Sequence, residues 1–100
     1  MPGDHFDVIA ERILTVEQDP AVQVIVRLAR PEKDPDGNDF RCAYQVVTPG
    51  KQKIRYIYGV DEFQALQLAI VIIEAELDRV GQEHGWNLKF LGGNIGFARE

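Results

Sequence analysis

The stretch QALQLAIVIIEAEL, residues 64–77, decides how this chain is built. Its apolar residues return every three or four positions, the period of an α-helix. At about 100° per residue, Leu66, Ala69, Ile70, Ile73, Leu77 and Val80 share one arc. Ala65, Leu68, Ile72 and Ala75 form a second arc beside it. Gln67, Glu74 and Asp78 mark the polar strip, with Val71 next to them. A helix lying on a sheet needs one apolar stripe, and a second one left in water is a patch that soluble monomers avoid. Each buried Leu or Ile is worth roughly 1.5–3 kcal/mol over an exposed one, so the second stripe is expected to be covered. No second long helix is legible in the sequence. Cover therefore comes from the two ends of the chain or from another subunit, for which a two-fold dimer is the usual form.

The helix has local start and stop signals. Asp61 is placed to cap the first turn and Gln64, three residues on, to reach back, a capping box. Glu62 puts negative charge where the helix dipole favours it. Gly81 and Gly85 are stop candidates, with His84 near the last carbonyls. About six turns is long for a domain of this size.

Outward from the helix, the preceding chain reads as strands. AVQVIVRLAR, residues 21–30, alternates Val22, Val24, Val26 and Leu28 with Gln23, Ile25, Arg27 and Ala29, which predicts a strand with one buried face. Pro31 ends it, and PEKDPDGND is a loop. DFRCAYQVVT then sets Phe40, Cys42, Tyr44 and Val46 on one face, with Arg41, Ala43, Gln45 and Val47 on the other. Pro49-Gly50 suits a type II turn. KIRYIYGV is a third strand, with Ile54, Tyr56 and Tyr58 on one side and Arg55 and Ile57 on the other. Alternation alone assigns Tyr44, Tyr56 and Tyr58 to the inward face. An earlier strand near Ala10–Glu17, closed by Asp19-Pro20, makes the sheet four-stranded; a short helix there is the alternative. After the helix, Trp86, Leu88 and Phe90 alternate, GGN is a turn, and IGF a short return strand. The expected fold is one α+β domain over residues 1–100: an antiparallel meander of three to four strands, one long helix packed on one face, and a short extended C-terminal tail.

One hundred residues at 45% apolar and 27% charged fit a single globular domain with one core. The polar, acidic MPGDHFD is not a secretory leader, and the longest apolar run, residues 68–73, is too short to cross a bilayer. Cys42 is the sole cysteine, so no intrachain disulfide forms, and the expected location is cytoplasmic. The net charge of −5 is uneven: residues 1–20 carry −4, residues 21–58 carry +3 and residues 59–100 carry −4. An acidic whole opposes polyanions even though its middle is basic.

Few residues point to chemistry. Asp34, Asp36 and Asn38 match the first positions of a calcium loop, but Asp39 stands where glycine is needed and Gln45 where glutamate is. A plain acidic hairpin loop explains them. Cys42 lies between core positions, and a buried cysteine is an inert small hydrophobe. His5 and His84 share no spacing that makes a metal site or triad. LGGNIG does not sit between a strand and a helix. No cofactor or metal is expected, and no motif supports an enzyme.

GVDEFQALQLAI and the later GFARE resemble a group of short bacterial proteins of unknown function. These share a Gly-x-Asp-x-x-Gln-Ala-Leu-x-Leu-Ala segment leading into one long helix, then a Gly-Phe near the end. Gly59, Asp61, Gln64, Ala65, Leu66, Leu68 and Ala69 match, followed by Gly96 and Phe97, about a quarter of the chain. The resemblance implies the long helix and carries no activity.

The expected function is protein binding, by self-association as a homodimer or with a partner protein, through Phe63, Leu68, Val71 and Ile72 as apolar anchors. The rival reading is a dimeric nucleic-acid binder. It uses Arg27, Arg41 and Arg55 on the outer sheet face, with Lys51 and Lys53 at the adjoining turn.

Overall fold

A computed structural model describes residues 6–93. Strands β1 (Val8–Val16), β2 (Asp19–Ala29), β3 (Glu32–Lys33), β4 (Phe40–Val47) and β5 (Ile54–Gly59) precede one helix, α1 (Glu62–His84), and a short strand β6 (Leu88–Lys89). They form an antiparallel sheet with a helix on one face, the expected α+β architecture. The four long strands run as a meander, β1–β2–β4–β5, and β6 extends it beyond β1. The segment left between strand and helix by the sequence, residues 8–17, is strand over Val8–Val16. The β1–β2 turn falls at residues 17 and 18, so Asp19 and Pro20 open β2 rather than close β1.

Strand β3 is a continuation of β2 on the same edge of β4. Leu28 faces Tyr44, while Glu32 faces Arg41, so the register slips by one residue across Arg30 and Pro31. Pro31 has no amide hydrogen to give the ladder, which explains the break. The loop to β4 closes on itself: Asp34 N–H donates to Asp39 O at 2.8 Å, and Asp34 Oδ1 accepts Asp36 N–H at 3.1 Å. Asp34 thus serves its own turn. Gly50 at φ 83° and the Thr48–Lys51 bridge fit the type II turn expected of Pro49-Gly50.

The helix ends follow local chemistry. Asp61 Oδ1 accepts the Gln64 N–H at 2.8 Å. Gln64 Oε1 reaches back to the N–H of Val60, one residue earlier than in the usual capping box. Gly85, at φ 68°, stops the helix, and Trp86 N–H donates to Gly81 O at 2.9 Å, the six-to-one bond of a Schellman motif. Trp86, Leu88 and Phe90 then lay their half-buried side chains against the core, as their alternation predicts. A turn bridges Phe90 and Gly93 through Leu91 and Gly92, both at positive φ. The expected IGF return strand lies outside the described residues.

The core joins Leu14 and Val16 of β1, Val24 and Val26 of β2, Cys42 and Tyr44 of β4, and Ala65, Ala69, Ile73 and Leu77 of α1. The buried helix arc therefore includes Ala65, which the sequence assigns to the second stripe, while Leu66 and Ile70 are only half-buried. The reason is a close approach. Gly59 ends β5 directly under the first turn of α1, where an added Cβ would collide with the backbone of Gln64 and stand 2.9 Å from Ala65 Cα. Small residues, Gly59 below and Ala65 and Ala69 above, seat α1 low on β4 and β5.

This contact also corrects the reading of β5. Cys42 faces Ile57, Tyr44 faces Arg55 and Phe40 faces Gly59. Residues directly opposite on an antiparallel pair share a face. Arg55, Ile57 and Gly59 therefore point to the helix, and Tyr56 and Tyr58 point to the outer face, 40% and 47% exposed. Only Tyr44 of the three tyrosines is in the core.

Gly59→Ala is expected to lower unfolding stability by about 2 kcal/mol or more in urea titrations, because backbone must move to admit the methyl group. Gly85→Ala meets no atom but is strained at positive φ, and should cost about 1 kcal/mol. Equal, negligible losses would show that α1 is not seated on Gly59.

Candidate protein interface

The four apolar anchors do not form one cluster. Phe63 is 77% exposed, Val71 59% and Leu68 38%, while Ile72 is half-buried against the core. At about 100° per residue, Leu68, Ile72 and exposed Ala75 lie together on one flank of α1, with Val71 beside them on its back. Phe63 falls on the other flank, in line with Leu66 and Ile70. The structure shows which flank is which. Ile72, Ala75 and Arg79 border a shallow cleft with Tyr44, Lys51 and Arg55, on the β5 side. Leu77, Asp78 and Gly81 border a second cleft with Trp86, Leu88 and Lys89, on the β6 side. The Leu68–Ile72–Ala75 strip thus looks out over β5, and the described residues cover it only in part: Ile72 is half-buried, while Leu68 and Ala75 stay exposed.

Strand β5 is itself unpartnered on that side. It bonds to β4 along one edge, and no described strand pairs with the other. The strip and the bare edge lie one above the other. Alternation within KIRYIYGV does not reveal this edge, because a strand's place in a sheet is set by its neighbours. The missed signal was Gly59: a glycine just before a helix cap marks close backbone approach.

The five basic residues are not brought together either. Arg27 and Arg41 are on the outer face as expected, but Arg55 is on the helix side, contrary to the expectation. It stands opposite Tyr44 across the β4–β5 ladder, and its Nε lies 3.6 Å from Glu76. Arg27 Nε donates to Glu11 at 2.7 Å and its Nη1 to Gln45 Oε1 at 3.3 Å. Gln45 in turn donates through Nε2 to Gln52 O. Arg41 Nε donates to Glu32 at 2.7 Å, and its guanidinium sits 4.5 Å above the Tyr56 ring. The Glu32 hydrogen bond holds the Arg41 pKa above its ordinary value. These two arginines are matched by carboxylates on their own face.

Lys51 and Lys53 make no ion pair among the described residues and flank the β4–β5 turn. There a cleft opens toward the end of α1, lined also by Arg55, Glu76, Arg79 and Glu83. Arg79 bridges Glu76 at 2.6 Å and Glu83 at 2.8 Å, and the Glu76 hydrogen bond raises its pKa. At the helix end, His84 Nδ1 lies 3.1 Å from Val80 O and its ring stacks on Trp86 at 4.1 Å. The remaining perturbed groups are core groups. Burial, and then the charge of Glu76, raises the Tyr44 pKa. Burial pushes the Cys42 thiol up to about 11, where its S–H donates to Ala29 O at 3.3 Å.

Taken together, the described residues form a small two-layer α+β domain, and they leave a sheet edge and a helix flank open on one side. The sequence profile of a family described as a domain of unknown function, DUF6968, matches residues 10–99, and the chain belongs to that family. No curated protein and no solved structure matches it.

The buried thiol makes a pH prediction. An exposed thiol ionises near about 8.5, so the unfolded chain loses this proton before the folded one does. The stability that the neutral thiol contributes is complete below that pH and is lost as the pH rises toward about 11, by at most roughly 3 kcal/mol. Cys42→Ala should lose less urea stability than the wild type between about pH 8 and pH 10.5. The same loss in both proteins would remove Cys42 as a cause.

Proposed function

We propose that this chain is a non-enzymatic protein-binding domain that self-associates as a homodimer in the cytoplasm of a bacterium. The observation that carries the reading is the apolar strip of Leu68, Ile72 and Ala75, with Val71 beside it. The described elements leave Leu68, Val71 and Ala75 exposed and Ile72 half-buried, although burying each large side chain is worth roughly 1.5–3 kcal/mol. A second copy is favoured as occupant because it brings the same strip, and a two-fold contact matches a surface with itself. No described helix is long and apolar enough to cross a membrane, so the strip is not part of a helical span. The nucleic-acid reading has less support. Arg27 and Arg41 are neutralised by Glu11 and Glu32, and Arg55 lies on the helix side of the sheet.

Light scattering over a concentration series tests the proposal. The wild type should have twice the chain mass. Leu68→Glu/Ala75→Glu should be a folded monomer by far-UV circular dichroism, since both residues are exposed and neither holds the core. A wild type that is monomeric at every concentration would end the self-association reading.

A further inference from the structure

We propose that the second copy docks edge to edge at β5, giving one continuous antiparallel sheet with the two α1 helices side by side above the seam. This rests on the self-association reading and specifies its geometry. Four features of the chain converge on it.

The first is the bare edge. Strand β5, Ile54–Gly59, has six residues and contains no proline, and its outer backbone groups pair with no described strand. Such a row is a ready template for another strand. The second is spacing. The helix lies on β4 and β5 together. With strands about 4.8 Å apart, pairing β5 with its copy sets the two helix axes roughly 10 Å apart. That is the usual separation of packed helices, about 8–10 Å. The flanks that then meet are the Leu68–Ile72–Ala75 strips. Edge pairing and helix contact are satisfied by one movement.

The third is charge. Lys51, Lys53 and Arg55 stand at the start of β5, and Asp61 and Glu62 just past its end. An antiparallel pairing sets the basic start of each strand beside the acidic end of the other. Lys51 and Lys53, without ion pairs among the described residues of one chain, acquire partners. The antiparallel helices also place opposite dipole ends together.

The fourth is the side-chain parity of the strand. A two-fold axis perpendicular to the sheet keeps both helices on one face. Opposed residues must then share a face, so the axis passes through a residue facing its own copy. Only two central positions of β5 offer this, Tyr56 and Ile57. In the first register Tyr56 meets Tyr56 of the other copy; in the second, Tyr56 meets Tyr58. Both put aromatic pairs on the outer face at the seam, contacts that stabilise neighbouring strands.

The test is disulfide trapping with Cys42→Ala as background. Tyr56→Cys and Ile57→Cys are made separately, oxidised, and resolved on a non-reducing gel, with Thr15→Cys on β1 as control. One of the two β5 variants should form a covalent dimer in high yield, because directly opposed positions bring Cα atoms within disulfide reach, about 4.4–6.8 Å. The control should stay monomeric. If the wild type scatters as a dimer, Leu68→Glu/Ala75→Glu dissociates it, and neither β5 cysteine cross-links, the edge geometry is overturned while self-association stands. A monomeric wild type overturns both.

Discussion

The contact between Gly59 and the first turn of α1 is the constraint on which the other contacts of the helix layer depend. Only a residue without a side chain lets the end of β5 run beneath the backbone of Gln64 and Ala65. Once Gly59 is turned toward the helix, alternation turns Ile57 and Arg55 the same way and sends Tyr56 and Tyr58 outward. Ala65 and Ala69, both fully buried, extend the close approach along the helix. The helix is therefore held over the last two strands of the meander. Leu14, Val16 and Val24 belong to the same core as Leu77, with the half-buried Trp86, Leu88 and Phe90 packed against it.

That seating dictates where charge goes. Arg55 stands on the helix side of the sheet, half exposed, with its Nε 3.6 Å from Glu76. Glu76 is then shared with Arg79, which also holds Glu83. These are mostly exposed pairs, each worth roughly 0–1 kcal/mol, so they orient side chains more than they hold the fold. On the outer face Glu11–Arg27 and Glu32–Arg41 do the same work, pairing neighbouring strands across the ladder. The face reads as basic in a residue list and as balanced in three dimensions.

What was legible in the sequence is what local chemistry determines. The helix start at Asp61, the Pro49-Gly50 turn and the period-two strands depend on residues a few positions apart and are found where expected; of the two stop candidates Gly85 ends the helix and Gly81 lies within it. The faces of β5 were not legible, because KIRYIYGV carries large apolar residues on both sides, and Tyr56 and Tyr58 make the more apolar face on paper. The decision came from a backbone contact between Gly59 and Ala65. Likewise the sequence groups Phe63 with Leu68 as apolar anchors, but at about 100° per residue the two fall on opposite flanks. The same alternation that turns Tyr56 and Tyr58 inward sets Arg55 on the outer face with Arg27 and Arg41, whereas its partner Glu76 lies 21 positions away in sequence.

An unpaired strand edge is a hazard that folded proteins commonly blunt with proline, a bulge, a charge or a covering element. Strands β3 and β6, which also pair with one described strand each, are only two residues long. Among the described residues, strand β5 has none of the usual shields in the plane of the sheet. Its one charge, on Arg55, is turned up toward Glu76 and leaves the edge open. The helix flank above it repeats the invitation, with Leu68, Ile72 and Ala75 where a polar fringe would have kept a neighbour away. A two-fold contact at this edge consumes both bare strands and both strips at once, so it closes after one addition instead of growing into a fibre. The low seating of α1 on Gly59 brings the strip over the edge, and so makes closure and cover the same event.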